Sequence, residues 1–247
     1  MHRSDNIFSK PIAHVGDFRF DQQVVEVFPD MIQRSVPGYA TILEVIGQLT
    51  AQYHQANSRL YDLGCSLGAA TLAMRRNVRL GGCEIIGVDN SQPMIERCRS
   101  HLAAFRSDTP VTLQCTNLQD VQISRASVVV LNFTLQFIDP KERDQLIAAI
   151  YQGMLPGSIL IVSEKVHFGD TDIQSLINDL HLDFKRANGY SELEISQKRT
   201  AIENVLLTDT AEQHIERFKT AGFAHAQAWF QCFNFLSFVA IKGSSDD

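Results

Sequence analysis

Short apolar runs recur along the first two thirds of the chain, and most are separated by stretches with apolar residues three and four positions apart. Leu60–Leu63, Glu84–Asp89, Val111–Cys115, Ser127–Asn132 and Ser158–Ser163 read as strands. Ala69–Val78, Pro93–Phe105 and Lys141–Met154 carry helical periodicity. This alternation predicts an α/β fold, a parallel sheet with helices on both faces. Val128–Leu131 and Ile159–Val162 are uninterrupted apolar runs, as expected of strands covered on both sides. Leu155-Pro156-Gly157 marks a turn between a helix end and the fifth strand.

After Ser163 the alternation breaks. Asp209 and Glu212 are spaced as a capping box for a helix that stops at Gly222. The runs Phe223–Phe230 and Phe233–Lys242 then lie close enough to form an antiparallel hairpin. The intervening residues 165–207 read as a helical insertion. Ile173, Leu176, Ile177, Leu180 and Phe184 form an apolar stripe on its first helix, which Asn188-Gly189 ends, and Ser191 with Glu194 caps the second. Residues 1–55 read as a mostly helical segment broken at Pro37-Gly38, with Tyr39–Leu49 leading towards the first strand. The expected organisation is a single domain over 1–247 with a frayed tail from Gly243.

Composition narrows the function. The formal net charge is −6 and the basic pairs Arg75-Arg76, Lys185-Arg186 and Lys198-Arg199 are isolated, which points to a small molecule rather than a nucleic-acid backbone. Five scattered cysteines without a CxxC spacing read as reduced thiols of a cytoplasmic protein. Eight dispersed histidines offer no metal spacing, so no metal is expected. No apolar run reaches the roughly 18 residues needed to cross a bilayer, and the first residues lack the apolar core of a secretory signal.

The candidate chemistry starts at Asp62-Leu63-Gly64-Cys65-Ser66-Leu67-Gly68, a glycine turn between a strand and a helix. Such a turn lets backbone N–H groups approach a ligand, and Asp89 at the tip of the next strand can accept from both hydroxyls of a ribose. Ser66 stands where a dinucleotide-binding GxGxxG turn has its middle glycine, which weakens that reading. Five parallel strands followed by a C-terminal hairpin resemble the S-adenosylmethionine-dependent methyltransferase fold, a Rossmann-like seven-stranded sheet whose last strand runs antiparallel beside the fifth. The resemblance implies that Gly64, Cys65 and Ser66 line the methionine moiety, Asp89 and Asn90 hold the ribose, and Asn117 and Leu118 flank the adenine. Asn132, ending the fourth strand, either points at the reaction centre or caps the strand. Cys65 reads as a packed residue, since no base accompanies it, and His167 as a surface histidine.

No Glu/His pair suggests a protein base. In the insertion, Ile195, Arg199, Ile202 and Leu206 fall at i, i+4, i+7 and i+11, so Arg199 interrupts an apolar stripe, whereas Lys198 follows Glu194 in the order of a surface pair. An inward guanidinium needs an anion, and a planar carboxylate suits its fork; an internal ion pair or a snorkelling side chain would also satisfy it.

Phe28-Pro29-Asp30-Met31, Val36-Pro37-Gly38-Tyr39, the glycine turn, Asn132–Phe137, Asp183–Arg199 and Trp229–Phe235 closely resemble the carboxy-S-adenosylmethionine synthases. Asn117 departs from the aspartate of that family. The resemblance implies conversion of S-adenosylmethionine and prephenate to carboxy-S-adenosylmethionine and phenylpyruvate, with the product passing to a separate enzyme that modifies the wobble uridine of tRNA. Prephenate loses carbon dioxide and hydroxide, the hydroxide deprotonates the sulfonium methyl, and the ylide captures the carbon dioxide. Arg199 would then neutralise the new carboxylate, Tyr39 would close over the cofactor, and the chain would form a homodimer. Two alternatives remain: a conventional methyltransferase for a small acidic acceptor, and a non-catalytic nucleoside-binding partner of a tRNA enzyme.

Overall fold

A computed structural model describes residues 4–244. The seven strands are β1 (Arg59–Leu63), β2 (Glu84–Asp89), β3 (Val111–Cys115), β4 (Ala126–Asn132), β5 (Met154–Lys165), β6 (His225–Cys232) and β7 (Phe235–Ile241). The helices are α1 (Gln22–Ser35), α2 (Tyr39–Tyr53), α3 (Ala69–Arg75), α4 (Gln92–Ala103), α5 (Pro140–Gly153), α6 (Thr171–Ala187), α7 (Glu192–Ile202) and α8 (Ala211–Ala221). One sheet has the order β3-β2-β1-β4-β5-β7-β6, parallel except for β7, which runs antiparallel to both β5 and β6. The expected α/β seven-stranded architecture is thus observed.

Neighbouring residues of each strand enter opposite cores, because side chains alternate across a sheet. Leu60, Ile85, Val128, Val130, Ile159 and Ile161 pack with Ile42 and Ile46 of α2 and Met74 of α3. Tyr61, Leu63, Val129, Leu131, Leu160 and Val162 pack on the other face with Ile147 and Ile150 of α5 and Phe218 of α8. Burial on both faces is why β4 and β5 carry unbroken apolar sequence.

Several boundaries differ from expectation. Leu155-Pro156-Gly157 lies within β5, not in a turn: Gly157 takes φ +69° at the register shift between β4 and β5, and its N–H bonds to the carbonyls of Lys242 and Gly243. A Pro-Gly pair serves a bulge as well as a turn, since both want a missing or redirected N–H. The capping box of α8 is Thr210 with Gln213, one residue beyond the expected pair. Asp209 is instead held by Arg143 at 2.8 Å and Arg217 at 2.9 Å. Residues 4–21 form an irregular strap rather than helix. Of the expected tail, residues 245–247 lie outside the described residues. On α6 the apolar stripe faces outwards, with Ile173, Leu176 and Leu180 exposed, while His181 is buried.

The loop after β4 is fixed by Glu164. Its buried carboxyl group accepts from the N–H groups of Thr134 (3.3 Å), Leu135 (2.8 Å) and Gln136 (3.0 Å). Burial pushes its pKa up to about 8 against the pull of those donors and of Arg143. An amide at this position presents an NH2 where an acceptor is needed. Glu164→Gln should therefore cost about 2 kcal/mol, the scale of a buried unsatisfied donor. Thermal unfolding should shift down by roughly 4–8 °C; an unchanged midpoint would show that those N–H groups find other partners.

Candidate functional site

The C-terminal ends of β1, β2, β4 and β5 open into one cavity of about 840 Å³. That lies towards the upper end of the roughly 300–1,000 Å³ usual for small-molecule pockets, and its position at the strand ends is where open α/β sheets bind ligands. Tyr39, Gly64, Cys65, Ser66, Asp89, Asn90, Asn117, Leu118 and Asn132 all line it. The sequence therefore located nine residues that the fold brings together. Arg199 is the exception.

The glycine turn is built by backbone bonds to β2. The N–H groups of Gly64 and Cys65 both donate to the Val88 carbonyl at 2.8 Å. Gly64 takes φ +85°, and a Cβ there would lie 2.3 Å from Thr134 Oγ1, so any other residue would displace the loop after β4. Ser66 adopts φ +48° and donates its N–H to Asp89 Oδ2 at 2.9 Å, while Ser91 N–H donates to Asp89 Oδ1 at 2.8 Å. Each carboxylate oxygen keeps a lone pair for a diol. Burial raises the pKa of Asp89 above the usual carboxylate range, although both N–H groups oppose it.

Asp62, which sequence reading left out of the site, is buried beneath this turn and lines the cavity. Thr71 donates to its Oδ2 at 2.5 Å, and its Oδ1 has no hydrogen-bond partner among the described residues. Burial raises its pKa to about 6, and Asp89 adds to the rise. Asn132 likewise has a buried Oδ1 without a partner among the described residues. Unpaired buried acceptors at a cavity wall are costly, and a cationic or hydrogen-bond-donating ligand relieves them. These atoms fit a ribose-bearing cation.

Asn90 donates to Asn117 Oδ1 at 3.2 Å, so the asparagine acceptor expected to face an adenine already has a partner. Cys65 is buried beside Cys98, which raises its thiol pKa well above the ordinary range, as befits a packed residue. Burial, with the nearby Asp62, holds the Tyr39 phenol neutral. His167 lies outside the cavity lining, with Nδ1 3.1 Å from Thr208 Oγ1.

The insertion contributes a basic end. Lys165 at the tip of β5, Lys185 on α6 and Lys198 on α7 all line the cavity. Lys198 corrects the expected surface pair: it is buried, 3.3 Å from Asp5 Oδ2, 3.0 Å from Ser35 Oγ and 3.2 Å from Tyr190 OH. Arg199 is exposed on the next position of the helix and does not line the cavity. Offsets of three and four residues both describe a helical stripe, and Asp5 on the strap selects Lys198. Arg199 still lies near enough to lower the pKa of Lys165 and Lys185. His181 bonds through Nε2 to the Ser35 carbonyl at 2.8 Å and stays neutral, since burial, Lys185 and Lys165 push its pKa down to about 3.

The strap roofs the cavity. Phe18 N–H donates to the Ala201 carbonyl of α7 at 2.8 Å, and Ser91 donates to the Phe20 carbonyl at 2.6 Å. The Phe20 ring stacks edge-on against Phe137 at 5.3 Å. The strap thus places the aromatic pair Phe20 and Phe137 in the cavity wall.

A family profile described as "Methyltransferase domain" matches residues 60–157. The chain is 62% identical over 244 residues to the carboxy-S-adenosyl-L-methionine synthase of Aeromonas hydrophila, covering 99% of this chain and 98% of that one. Among solved structures it resembles an O-methyltransferase family protein from Burkholderia thailandensis, with TM-score 0.65, 16% identity, and coverage of 92% and 61% of the two chains. It also resembles human N-acetylserotonin methyltransferase in complex with SAM, with TM-score 0.59, 16% identity, and coverage of 90% and 56%. It thus spans under two thirds of either solved chain, and at such identities the likeness concerns the fold.

Burial and the charges of Lys165, Lys198 and Arg199 lower the Lys185 pKa to about 7 from its ordinary 10.5. Between those values the unfolded chain binds more protons than the folded one, so unfolding free energy rises with pH across that window. One such group contributes up to about 1.4 kcal/mol per pH unit. Denaturant titrations at pH 7 and 9 should show this rise, reduced in Lys185→Met; the same rise in both proteins would mean that Lys185 does not titrate there.

Proposed function

The chain belongs to the carboxy-S-adenosyl-L-methionine synthase family, and we propose that it converts S-adenosylmethionine and prephenate to carboxy-S-adenosylmethionine, phenylpyruvate and water. The observation that carries this reading is the opposite charge of the two ends of one cavity. Asp62 and Asp89 stand at the tips of β1 and β2, and Lys165 and Lys185 at the tip of β5 and on α6. A cationic sulfonium nucleoside suits the first end and an acidic second substrate the other. The synthase names of its relatives support the same assignment.

Gly64, Cys65 and Ser66 then line the methionine moiety, Asp89 and Asn90 hold the ribose, Asn117 and Leu118 flank the adenine, and Asn132 faces the reacting methyl. Tyr39 closes the nucleoside side as a neutral ring. S-Adenosylmethionine, the substrate that accepts the carboxyl group, supplies a sulfonium-activated methyl. Prephenate supplies carbon dioxide and hydroxide as it becomes phenylpyruvate. A proton passes from the methyl to that hydroxide, giving water, and a carbon–carbon bond forms to the carbon dioxide. A substrate-derived base agrees with a cavity whose two lining histidines are each bonded to a carbonyl, His181 to that of Ser35 and His101 to that of Leu67. The aromatic roof of Phe20 and Phe137 keeps bulk water from the reacting carbon.

Arg199 reads the product carboxylate across a homodimer in this proposal. Its exposure, together with the exposed stripe Ile173, Leu176 and Leu180 on α6, supports a second copy covering the insertion 165–207. With a net charge of −6, the chain makes the product and leaves tRNA wobble-uridine modification to a separate enzyme. Five free cysteines agree with a cytoplasmic setting, and no helix of the described residues is long and apolar enough to cross a membrane. The basic end would equally take the acidic acceptor of a conventional methyltransferase.

Incubation with S-adenosylmethionine and prephenate decides between these. A nucleoside heavier by one carbon dioxide is expected in the mass spectrum, and S-adenosylhomocysteine alone would contradict the synthase. Arg199→Ala should weaken binding of carboxy-S-adenosylmethionine by about 2–4 kcal/mol more than binding of S-adenosylmethionine, the scale of a desolvated, charge-assisted contact. Equal weakening in calorimetric titrations would remove Arg199 from carboxylate recognition.

A further inference from the structure

The basic end of the cavity holds more positive charge than the protein neutralises. Lys165, Lys185 and Lys198 line it from β5, α6 and α7, and the charge of Arg199 reaches it from outside. The acids packed nearby have partners. Asp5 accepts from Lys198 at 3.3 Å and also from the Tyr190 hydroxyl. Asp30 accepts from Arg34 at 3.1 Å and from the Asp5 N–H at 2.7 Å. Glu194 caps α7 through Ser191. Among the described residues neither Lys165 nor Lys185 has an ion pair or a side-chain hydrogen bond.

Two half-buried ammonium groups that repel each other and find no acid cost stability, and such an arrangement survives where an anion is to be received. Its place in the sheet matters equally. β2 and β5 are separated by β1 and β4, so the tips carrying Asp89 and Lys165 stand three strand spacings apart, roughly 14 Å. The lysines are thus displaced from the ribose site, with Asn132 on β4 between the two ends.

We infer that Lys165 and Lys185 form the subsite that binds the carboxylates of the acidic second substrate, holding it beside Asn132 and opposite the nucleoside. This rests on the proposed reading of the cavity as a two-substrate site. Lys198, already paired with Asp5, positions the α7 wall rather than receiving the anion. His181 adds no charge, and the His181–Phe235 contact, with ring centroids 4.8 Å apart, gives the subsite an apolar side for a carbocyclic body. Lysine fits this task, because three donors on a flexible stem can follow carboxylates that change position as a substrate fragments. An anion between the two ammonium groups also raises their affinity for protons, so binding near neutrality draws a proton onto Lys185.

The test is equilibrium binding of prephenate to the full-length protein saturated with S-adenosylhomocysteine, which lacks the reacting methyl and so prevents turnover. Lys165→Met and Lys185→Met should each raise the prephenate Kd by about tenfold or more, the effect of losing one charge-assisted contact, and change S-adenosylmethionine affinity by less than about threefold. Lys185→Arg should retain most of the affinity. Calorimetry of the wild-type protein at pH 7.5 in buffers of different ionisation enthalpy should register proton uptake, absent from Lys185→Met. Unchanged prephenate affinity in both methionine variants, or an equal loss of S-adenosylmethionine affinity, would overturn the inference. Failure of the wild-type protein to carboxylate S-adenosylmethionine would instead overturn the synthase reading, and the binding comparison would still be readable.

Discussion

The carboxyl group of Glu164 sets where the site can stand. It lies at the end of β5 and accepts from three successive N–H groups of the loop leaving β4. Gln136 of that loop returns the contact by accepting the Lys165 N–H at 2.9 Å. Thr134, fixed in this way, fills the space beside Gly64 that a Cβ would need. Gly64 and Cys65 then donate to Val88, and Ser66 to Asp89. A continuous set of short contacts therefore runs along the C-terminal edge of the sheet from β5 through β4 and β1 to β2. Each buried donor in the series would be costly if unpaired, so the edge is a rigid base for the cavity above it.

On that base the charges are segregated. Two carboxyl groups with raised pKa values stand at one end and lysines with lowered pKa values at the other. Each end is held in a state that a ligand of opposite sign relieves. The fold creates the acidic end from strand tips alone, whereas the basic end depends on α6 and α7 and on the strap that carries Asp5. The insertion thus supplies the feature that separates this cavity from a site for one nucleoside.

Much of the fold was legible because doubly covered strands carry unbroken apolar runs and α3, α4 and α5 carry a 3.6-residue period. The glycine turn and Asp89 stood out from their places beside strand tips, whereas Asn90, Asn117 and Leu118 entered as expectations through the family resemblance. Pro156-Gly157 was not, because the same pair suits a turn and a bulge. The burial of Lys198 and the exposure of Arg199 were not legible because offsets of three and four both fit a helical stripe, and only the distant Asp5 distinguishes them. Lys165 and Lys185 gave no local signal at all. Each resembles an ordinary solvated lysine until β5, α6 and α7 bring them to one wall. Asp62 was hidden for a related reason: its unpartnered oxygen exists only once Thr71 has taken the other.

The central claim is that one cavity holds a sulfonium nucleoside against an acidic partner so that the methyl gains a carboxyl group. The mass of the nucleoside that co-purifies with the protein from cells tests this most directly. A sulfonium nucleoside heavier than S-adenosylmethionine by one carbon dioxide is expected. Retention of S-adenosylhomocysteine alone, the product of ordinary methyl transfer, would contradict it.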